Sequence, residues 1–319
     1  MHLLILSRNA NLYSTSRLVL AARARGHEVT VADPLDFRIV VSRAHPSMFL
    51  GDRPLPHADL VIPRIGASIT NYGLAVVRQF DMMGIPVLNT AVAIARSRDK
   101  LRALQLLTKK DIDVPRTVCA RSPESVDLAL NLVGGTPAIV KLQQGTQGIG
   151  TMIADTPQAV SSLLETLWAM GQDIVLQEYI AESKGCDYRA IVVGRRVVAA
   201  MRRQAKKGEF RSNIHRGGLG HRVTLGSKYV RAAIAATRVM GLEVAGVDML
   251  QGAEGPKILE INSSPGLEGI ERTSGADVAG AIIAHAERFL MRRLSRRKQK
   301  LHDVVIEDER RIRRVRTIP

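Results

Sequence analysis

The sequence predicts a fold of the α/β and α+β classes, built from two or three packed domains. The chain has 319 residues, which is too many for one small core. Hydrophobic residues make up 45% of the chain, enough for packed cores, so general disorder is excluded. Over the first 95 residues, strand-like and helix-like segments alternate. This alternation indicates a small parallel α/β layer.

The N-terminal elements follow from apolar patterning. His2–Ser7 predicts a buried strand, and Leu12–Arg25 predicts a helix that Gly26 ends. His27–Asp33 and Ala58–Ile65 predict the next two strands. The turn after the first strand has no GxGxxG pattern, so a dinucleotide fingerprint is absent from the place where it would have to lie.

Further helices and strands are predicted downstream by the same periodicities. The predicted helices are Arg96–Lys110, Thr156–Met170, Ser227–Met240 and Asp277–Leu290. The predicted strands are Ala138–Leu142, Thr151–Ala154, Ile174–Tyr179, Tyr188–Val193, Arg196–Met201, Val244–Leu250 and Lys257–Asn262.

Composition limits the compartment and the class of partner. Cys119 and Cys186 are lone thiols, which fits a reducing compartment. The N-terminus becomes polar too soon for a signal peptide, and no apolar run approaches the roughly 18 residues of a membrane span. We therefore expect a cytoplasmic protein with no membrane partner. Aromatic residues are only 3% of the chain, which argues against a stacking surface for single-stranded nucleic acid.

Positive charge is concentrated at the C-terminus. The formal net charge is +16, and residues 292–319 carry eleven basic against four acidic side chains. The basic body suits anionic substrates or an RNA-rich partner. For the tail we expect a disordered basic extension, and the alternative is an electrostatic tether to RNA or to an acidic acceptor.

Three oxygen ligands lie on neighbouring predicted strands. Glu260 and Asn262 are two residues apart on one strand, so their side chains share a face. Asp248 lies on the preceding strand in an apolar stretch, where a carboxylate must be paired or bind a metal ion. Two carboxylates and an amide oxygen suit Mg²⁺ shared with ATP phosphates. The alternative for Asp248 is an ion pair with one of the many arginines.

A glycine-rich segment, Gln144–Gly150, follows Lys141 between two predicted strands. Because a strand rather than a helix follows it, the segment fits neither a Walker loop nor a Rossmann turn. A hairpin of this kind can close its N–H groups over phosphates, with the Lys141 ammonium at its base. The alternative is an ordinary glycine-rich hairpin.

Two more segments carry polar groups in weaker patterns. Gln177 and Glu178 end a strand whose backbone could bind an adenine edge, and the Asp187 carboxylate could hold ribose hydroxyls. The alternative is a strand edge with a solvated acidic loop. A basic loop contains Arg211 and Asn213, and arginine can grip phosphate or carboxylate with two hydrogen bonds. The alternative there is a solvated surface loop.

The order of these motifs resembles the ATP-grasp superfamily of carboxylate–amine ligases and, within it, the RimK family. The resemblance covers about residues 1–290. The matching segments are Ile62–Gly66, Ala95–Leu101, Gly145–Gly150, Phe210–Asn213 and Ser264–Glu271.

This resemblance implies a pre-ATP-grasp domain over residues 1–95, an ATP-grasp domain of two subdomains over residues 96–291 with the glycine-rich hairpin as its lid, and a separate tail. It implies that ATP is bound by Lys100, Lys141, Gln177, Glu178, Tyr179, Ile180, Asp187, Arg211, Ser212 and Asn213. It also implies that Arg211 and Asn213 are catalytic and that Asp248, Glu260 and Asn262 bind Mg²⁺ or Mn²⁺, two ions in all.

The implied reaction adds L-glutamate to the C-terminus of a small-subunit ribosomal protein through an acylphosphate, and the implied assembly is a homotetramer. The chemistry needs metal ions and basic side chains rather than a side-chain nucleophile. Two alternatives stay open. One is a ligase for another acidic acceptor, such as free glutamate, a peptide or an amino-group carrier protein. The other is a basic ribosome- or RNA-binding module with a non-catalytic nucleotide fold.

Overall fold

The computed structural model describes residues 1–43, 45–119, 125–143, 150–183, 185–206, 209 and 218–316. Its N-terminal region contains two small sheets and two helices. In chain order they are β1 (His2–Leu6), α1 (Tyr13–Ala24), β2 (Glu28–Ala32), β3 (Phe37–Val40), β4 (Ser47–Leu50), β5 (Arg53–Pro54), β6 (Leu60–Pro63) and α2 (Thr70–Met82).

The parallel layer predicted from the alternation is confirmed. β1 lies between β2 and β6 and pairs parallel with both. Alternate residues of β1 pack on opposite sides: Leu3 and Ile5 contact the core that contains α1, whereas Leu4 and Leu6 contact the core that contains α2. Gly26, which follows α1, has a φ of +75°, as expected for a residue that ends a helix.

The antiparallel sheet β3–β4–β5 and helix α2 were not predicted. The strands of this sheet span only four, four and two residues, too short to give a clear period. Helix α2 stabilises two of these strands, because Gln79 donates from Nε2 to the carbonyl of Val40 on β3 and to that of Ser47 on β4.

A second unit follows, with a four-stranded sheet at its centre. Its elements, with the two helices that precede it, are α3 (Ala91–Arg98), α4 (Lys100–Thr108), β7 (Thr117–Val118), α5 (Val126–Val133), β8 (Ala138–Leu142), β9 (Thr151–Ala154), α6 (Pro157–Ala169) and β10 (Ile174–Glu178). The antiparallel strand order is β7–β10–β8–β9, and α5 and α6 pack on the sheet.

The prediction of one helix over residues 96–110 was wrong, because the chain forms two helices that meet at Asp99. Asp99 is extended, with φ −83° and ψ 103°, and its Oδ1 accepts from the N–H of Arg102 at 2.9 Å. Aspartate is a favoured N-cap, so a new helix begins there. The consequence for the site is that Arg98 and Lys100 lie at this break.

The third unit is a five-stranded antiparallel sheet, in the order β13–β12–β11–β14–β15. Its elements are β11 (Cys186–Val193), β12 (Arg196–Gln204), β13 (Leu219–Arg222), α7 (Ser227–Met240), β14 (Val244–Gln251), β15 (Pro256–Asn262), α8 (Glu268–Ser274) and α9 (Val278–Arg316). One face packs on α7, through Ala190 and Val192. The opposite face packs on α8 and α9 through Ile191 and Val193, and it continues into the candidate site.

The last helix is longer than predicted. The sequence predicted an end at Leu290 and a disordered tail after it, but α9 continues to Arg316. The residues of this extension are mostly Arg, Lys, Gln, Glu and Leu, which are good helix formers even without an apolar face. Within the described part of the chain, no helix has the length and apolar character needed to cross a membrane.

Candidate active site

Strand register brings the predicted metal ligands to one face of the five-stranded sheet. Asp248 on β14 lies directly opposite Glu260 on β15 and, on its other side, opposite Arg189 on β11. Asn262 lies opposite Gly246, two residues from Asp248. The three oxygen-bearing side chains are therefore neighbours, as their positions on two adjacent strands predicted.

Asp248 is buried and paired with two arginines. Arg189 donates from Nε to Oδ1 at 2.7 Å and from Nη2 to Oδ2 at 2.6 Å, and Arg203 approaches Oδ2 at 3.0 Å. Burial acts to raise the pKa of Asp248, but the two guanidinium charges outweigh it and lower the pKa to about 2. The ion pair weighed as an alternative for this residue is thus present.

The ion pairs still leave Asp248 one coordination position. A carboxylate offers about four lone pairs. The three arginine contacts occupy one on Oδ1 and two on Oδ2. One lone pair of Oδ1 remains, so Asp248 can keep both arginines and still ligate a cation.

Glu260 and Asn262 have the properties of ligands without a partner. Within the described residues, Glu260 makes no hydrogen bond and no ion pair, and its side chain is exposed. Protein atoms nevertheless crowd around this exposed carboxylate; the hydration they displace, together with the negative charge of Asp248, raises the pKa of Glu260. The Nδ2 atom of Asn262 is buried with no hydrogen-bond partner.

This donor set fits a divalent cation that prefers oxygen. No cluster of three or more His, Cys, Asp or Glu side chains suited to a metal occurs among the residues the structure describes. Beside the two carboxylates of Asp248 and Glu260, Asn262 can supply an amide oxygen as a third ligand. Hard cations such as Mg²⁺ accept this mixture of carboxylate and amide oxygens.

Two lysines act electrostatically on Glu260 from other elements. Lys141 on β8 donates to Gln177 Oε1 at 2.5 Å, and Lys100 at the start of α4 donates to the carbonyl of Gln143 at 3.0 Å. Desolvation lowers the pKa of both ammonium groups, that of Lys141 to about 8. Two ammonium groups near a carboxylate are suited to bind a phosphate chain, and the carboxylate would hold a divalent cation.

The side chains at the end of β10 hold the neighbouring strand. Gln177 is buried and donates from Nε2 to Thr117 Oγ1 at 2.7 Å. Glu178 accepts from the backbone N–H of Arg116 at 2.9 Å. Ile180 is buried, and Tyr179 is half-buried. If an adenine ring binds here, the backbone and apolar surface of this segment remain for it, since both polar side chains are occupied.

Asp187 is placed differently from the prediction of a ribose contact. It is only 3% exposed, and Arg203 donates to both of its oxygens, from Nε at 2.6 Å and from Nη2 to the other oxygen. Since Arg203 also binds Asp248, these three residues and Arg189 form one buried network of two carboxylates and two guanidinium groups. In this arrangement Asp187 positions Arg203.

The remaining predicted site residues lie outside the described residues. They are Arg211, Ser212 and Asn213 in the basic loop, and residues 144–149 of the glycine-rich hairpin.

Comparison with known proteins assigns the family. A family model described as the RimK PreATP-grasp domain matches residues 1–94, and one described as the RimK-like ATP-grasp domain matches residues 97–286. The chain belongs to the RimK family of ATP-grasp ligases. The fold expected from the sequence resemblance is thereby confirmed, and the protein is an ATP-dependent ligase.

Relatives of this RimK-family chain cover most of its length. A protein of Azotobacter vinelandii named probable alpha-L-glutamate ligase is 51% identical over 300 residues, which cover 94% of this chain and 100% of the relative. One of the same name from Vibrio vulnificus strain YJ016 is 52% identical over 288 residues, 90% of this chain and 96% of the relative. The solved ATP-grasp ligase PsnB, complexed with a phosphomimetic variant of its minimal precursor, Mg and ADP, has a TM-score of 0.69 at 22% identity and covers 89% of this chain and 98% of its own.

Sequence reasoning missed the arginines of the RimK-family site. Arg189 was noted only beside Asp187, and Arg203 only within the basic stretch, although both lie on strands of the sheet and pair with Asp248. The available signal was alternation: Asp187 and Arg189 point to one face of a strand whose next residues are apolar. Their partners come from strands β12 and β14, and only the register shows that pairing.

Proposed function

We propose that this RimK-family enzyme activates a carboxylate with ATP and joins it to the amino group of L-glutamate. The observation that carries the proposal is the meeting of Glu260, Asp248 and Asn262 with the Lys100 and Lys141 ammonium groups. The relatives named probable alpha-L-glutamate ligase support glutamate as the amino acid. The PsnB complex with Mg and ADP supports ATP with a divalent cation.

The chemistry proceeds in two steps. A carboxylate is a poor electrophile, so one of its oxygens first attacks the γ-phosphorus of ATP, and the bond to the bridging oxygen breaks to release ADP. The neutral amino group of glutamate then attacks the acylphosphate carbon. Phosphate leaves with the bonding electrons, the nitrogen loses a proton, and an amide is formed.

The site residues divide this work by charge. Negative charge accumulates on the transferring phosphoryl oxygens, and Lys100 and Lys141 stabilise it. Asp248, Glu260 and Asn262 would hold Mg²⁺ or Mn²⁺, which supplies further neutralisation of the phosphate chain when bound. In this proposal the nucleotide base binds against Gln177, Glu178, Tyr179 and Ile180. The family resemblance assigns Arg211, Ser212 and Asn213, which lie outside the described residues, to the phosphates or the acyl group.

The proposed acceptor is the C-terminus of a small-subunit ribosomal protein. Its terminal carboxylate and free glutamate are both anions, and the net charge of +16 favours their approach. The motif resemblance of residues 1–290 supports this acceptor over a carrier protein or a free peptide.

An acceptor panel tests the proposal. The protein is incubated with ATP, Mg²⁺ and labelled L-glutamate, together with small ribosomal subunits, free glutamate, an acidic peptide or an amino-group carrier protein. We expect ADP release and label in one small-subunit protein. Label that enters only a small molecule or the carrier contradicts the ribosomal acceptor, and no glutamate-dependent ADP release with any acceptor contradicts glutamate ligation.

A further inference from the structure

Two arginines lie where the N-terminal domain meets the loop after β15. Arg64 follows β6 at the carboxyl edge of the parallel sheet, and its Nη2 donates to the carbonyl of Pro265 at 2.7 Å. Arg98 ends α3, and its Nη2 donates to the carbonyl of Ile65. The edge beyond the carboxyl ends of parallel strands is the usual ligand-binding edge of an α/β sheet.

Neither guanidinium has an anionic partner within the described residues. Both arginines are half-buried and bind only backbone carbonyls, with no carboxylate within ion-pair distance. Desolvation and the charge of Arg98 lower the pKa of Arg64 to about 10. Adjacent desolvated cations are costly unless an anion compensates them.

The same place contains every buried polar side-chain atom that lacks a partner in the described part of the chain. These atoms are Arg98 Nε, Asn262 Nδ2, Ser263 Oγ and Ser264 Oγ. Ser263 is only 4% exposed, so water does not easily compensate its hydroxyl. Buried polar groups are rarely left unsatisfied in folded proteins. A ligand that presents several acceptor oxygens would satisfy this group of donors.

The loop that carries these donors is fixed from both sides. Asn89 donates from Nδ2 to the carbonyl of Ser263 at 2.9 Å, and the N–H of Leu267 donates to Ser14 Oγ at 2.9 Å. A Cβ atom on Gly246 would come within 2.8 Å of Pro265, so the loop packs tightly on β14. The donors are therefore held in place before a ligand arrives.

We propose that Arg64 and Arg98 bind a carboxylate of the acidic substrate, with the loop Asn262–Ser264 completing the subsite. Guanidinium groups match a carboxylate with paired hydrogen bonds, and Arg98 is close enough to Glu260 for their charges to interact. The subsite thus lies beside the proposed metal ligands. The inference rests on the proposed function and names the residues that recognise its substrate, either incoming glutamate or the acceptor's terminal carboxylate.

Kinetics of charge-conserving and charge-removing variants test the subsite. Arg64 and Arg98 are each changed to Lys and to Gln, and Arg96→Gln is the matched control, because Arg96 lies exposed on the same helix as Arg98. KM for ATP, glutamate and acceptor is measured by ADP release. We expect the Gln variants to raise KM for one carboxylate substrate about 10- to 100-fold. KM for ATP and all Arg96→Gln values should change less than about twofold.

The substrate whose KM rises identifies the source of the carboxylate. A rise for ATP alone, or unchanged KM for both carboxylate substrates, overturns the inference. Tm is measured for each variant. If a Gln variant is unfolded, the corresponding Lys variant is used instead, because lysine keeps the positive charge but cannot form the paired hydrogen bonds of a guanidinium group.

Calorimetry tests the subsite separately from the proposed ligase reaction. The full chain is titrated with L-glutamate and with acceptor in the presence of a nonhydrolysable ATP analogue. If the wild type binds a carboxylate substrate and Arg98→Gln does not, the subsite is supported even if no ligation is detected. If both proteins bind equally, or if the wild type does not bind, the inference is contradicted.

Discussion

At the scale of single residues, two carboxylates on one sheet face have opposite environments. Asp248 is surrounded by arginines that keep it ionised, whereas Glu260 faces lysines across a gap and has no direct partner among the described residues. The sequence indicated both as ligands from strand spacing. It could not indicate that Asp248 would be shared with Arg189 and Arg203, because those contacts depend on the register of three strands.

Glu260→Ala should abolish ADP production while the fold persists. Activity should fall by about 100-fold or more, since charge on the transferring phosphoryl group would lose its compensation. Stability should not fall, because Glu260 makes no ion pair within the described residues and its pKa is raised. A raised carboxyl pKa means stability is lost as pH rises, so removal should keep or raise Tm at neutral pH. ADP release measures the activity and a thermal melt measures the stability. The control is Glu254→Ala, because Glu254 is exposed. Full turnover by Glu260→Ala would contradict the assignment of Glu260 as a metal ligand.

The lowered pKa of Lys141 leads us to expect that kcat/KM for ATP depends on pH. Desolvation lowers its pKa to about 8 in the free enzyme, so the Lys141 ammonium loses its proton as the pH rises through 8. We expect kcat/KM for ATP, which reports the free enzyme, to fall above about pH 8. Lys141→Arg keeps its charge, so its profile should stay flat to higher pH. Identical profiles for the two proteins would show that Lys141 does not titrate in ATP capture.

At the scale of elements, the long strands and amphipathic helices were predictable and the short or interrupted ones were not. Ser227–Met240 was predicted with its observed bounds, because an apolar face and a following glycine mark it. The break between α3 and α4 was missed because the leucines that predicted a single helix, within residues 101–107, all follow Asp99, whereas the cap contact of Asp99 decides the boundary. The break matters because it positions Arg98 and Lys100 toward the site.

Asn89 joins elements from different parts of the chain. It donates to the carbonyls of Val244 and Ser263 at 2.8 and 2.9 Å, and its Oδ1 accepts from the N–H groups of Glu243 and Val244 at 2.8 and 3.1 Å. Its φ is +68°, which glycine also tolerates. Asn89→Gly therefore removes the side chain without adding strain at this backbone position.

We expect Asn89→Gly to lower the free energy of unfolding by about 3 kcal/mol, because four backbone groups, three of them in buried hydrogen bonds, lose their partner. Chemical denaturation measures the change. Asn131→Ala, on the exposed side of α5, should change it by less than about 0.5 kcal/mol. Equal stability of Asn89→Gly and the wild type would mean that these hydrogen bonds are replaced by others.

At the scale of the whole molecule, the net charge of +16 suits the anionic substrates of the proposed reaction. Among the side chains of α9 that the structure describes, the last one buried in an apolar core is that of Leu290. The arginine-rich composition was visible in the sequence, and its many good helix formers favour the helix observed over this segment. The motif order indicated the family and the candidate ligands, because they depend on local spacing.

Deletion of residues 292–319 should leave Tm within about two degrees of the full chain, because Leu290, the last buried apolar residue described on α9, is kept. If the extension tethers an RNA-rich acceptor, deletion should weaken binding of small ribosomal subunits at low salt and reduce the slope of log Kd against log salt. Binding titrations at several salt concentrations measure this. Identical slopes for the two proteins would rule out the electrostatic tether.

Oxygen transfer from the acceptor is the sharpest test of carboxylate activation by ATP. When the acceptor is activated as an acylphosphate, one of its carboxylate oxygens becomes part of the phosphate that leaves. With an acceptor whose terminal carboxylate carries oxygen-18, mass spectrometry should find one heavy oxygen in each phosphate released during amide formation. Phosphate that carries only oxygen-16, formed at the same rate as the amide, would contradict carboxylate activation at this site.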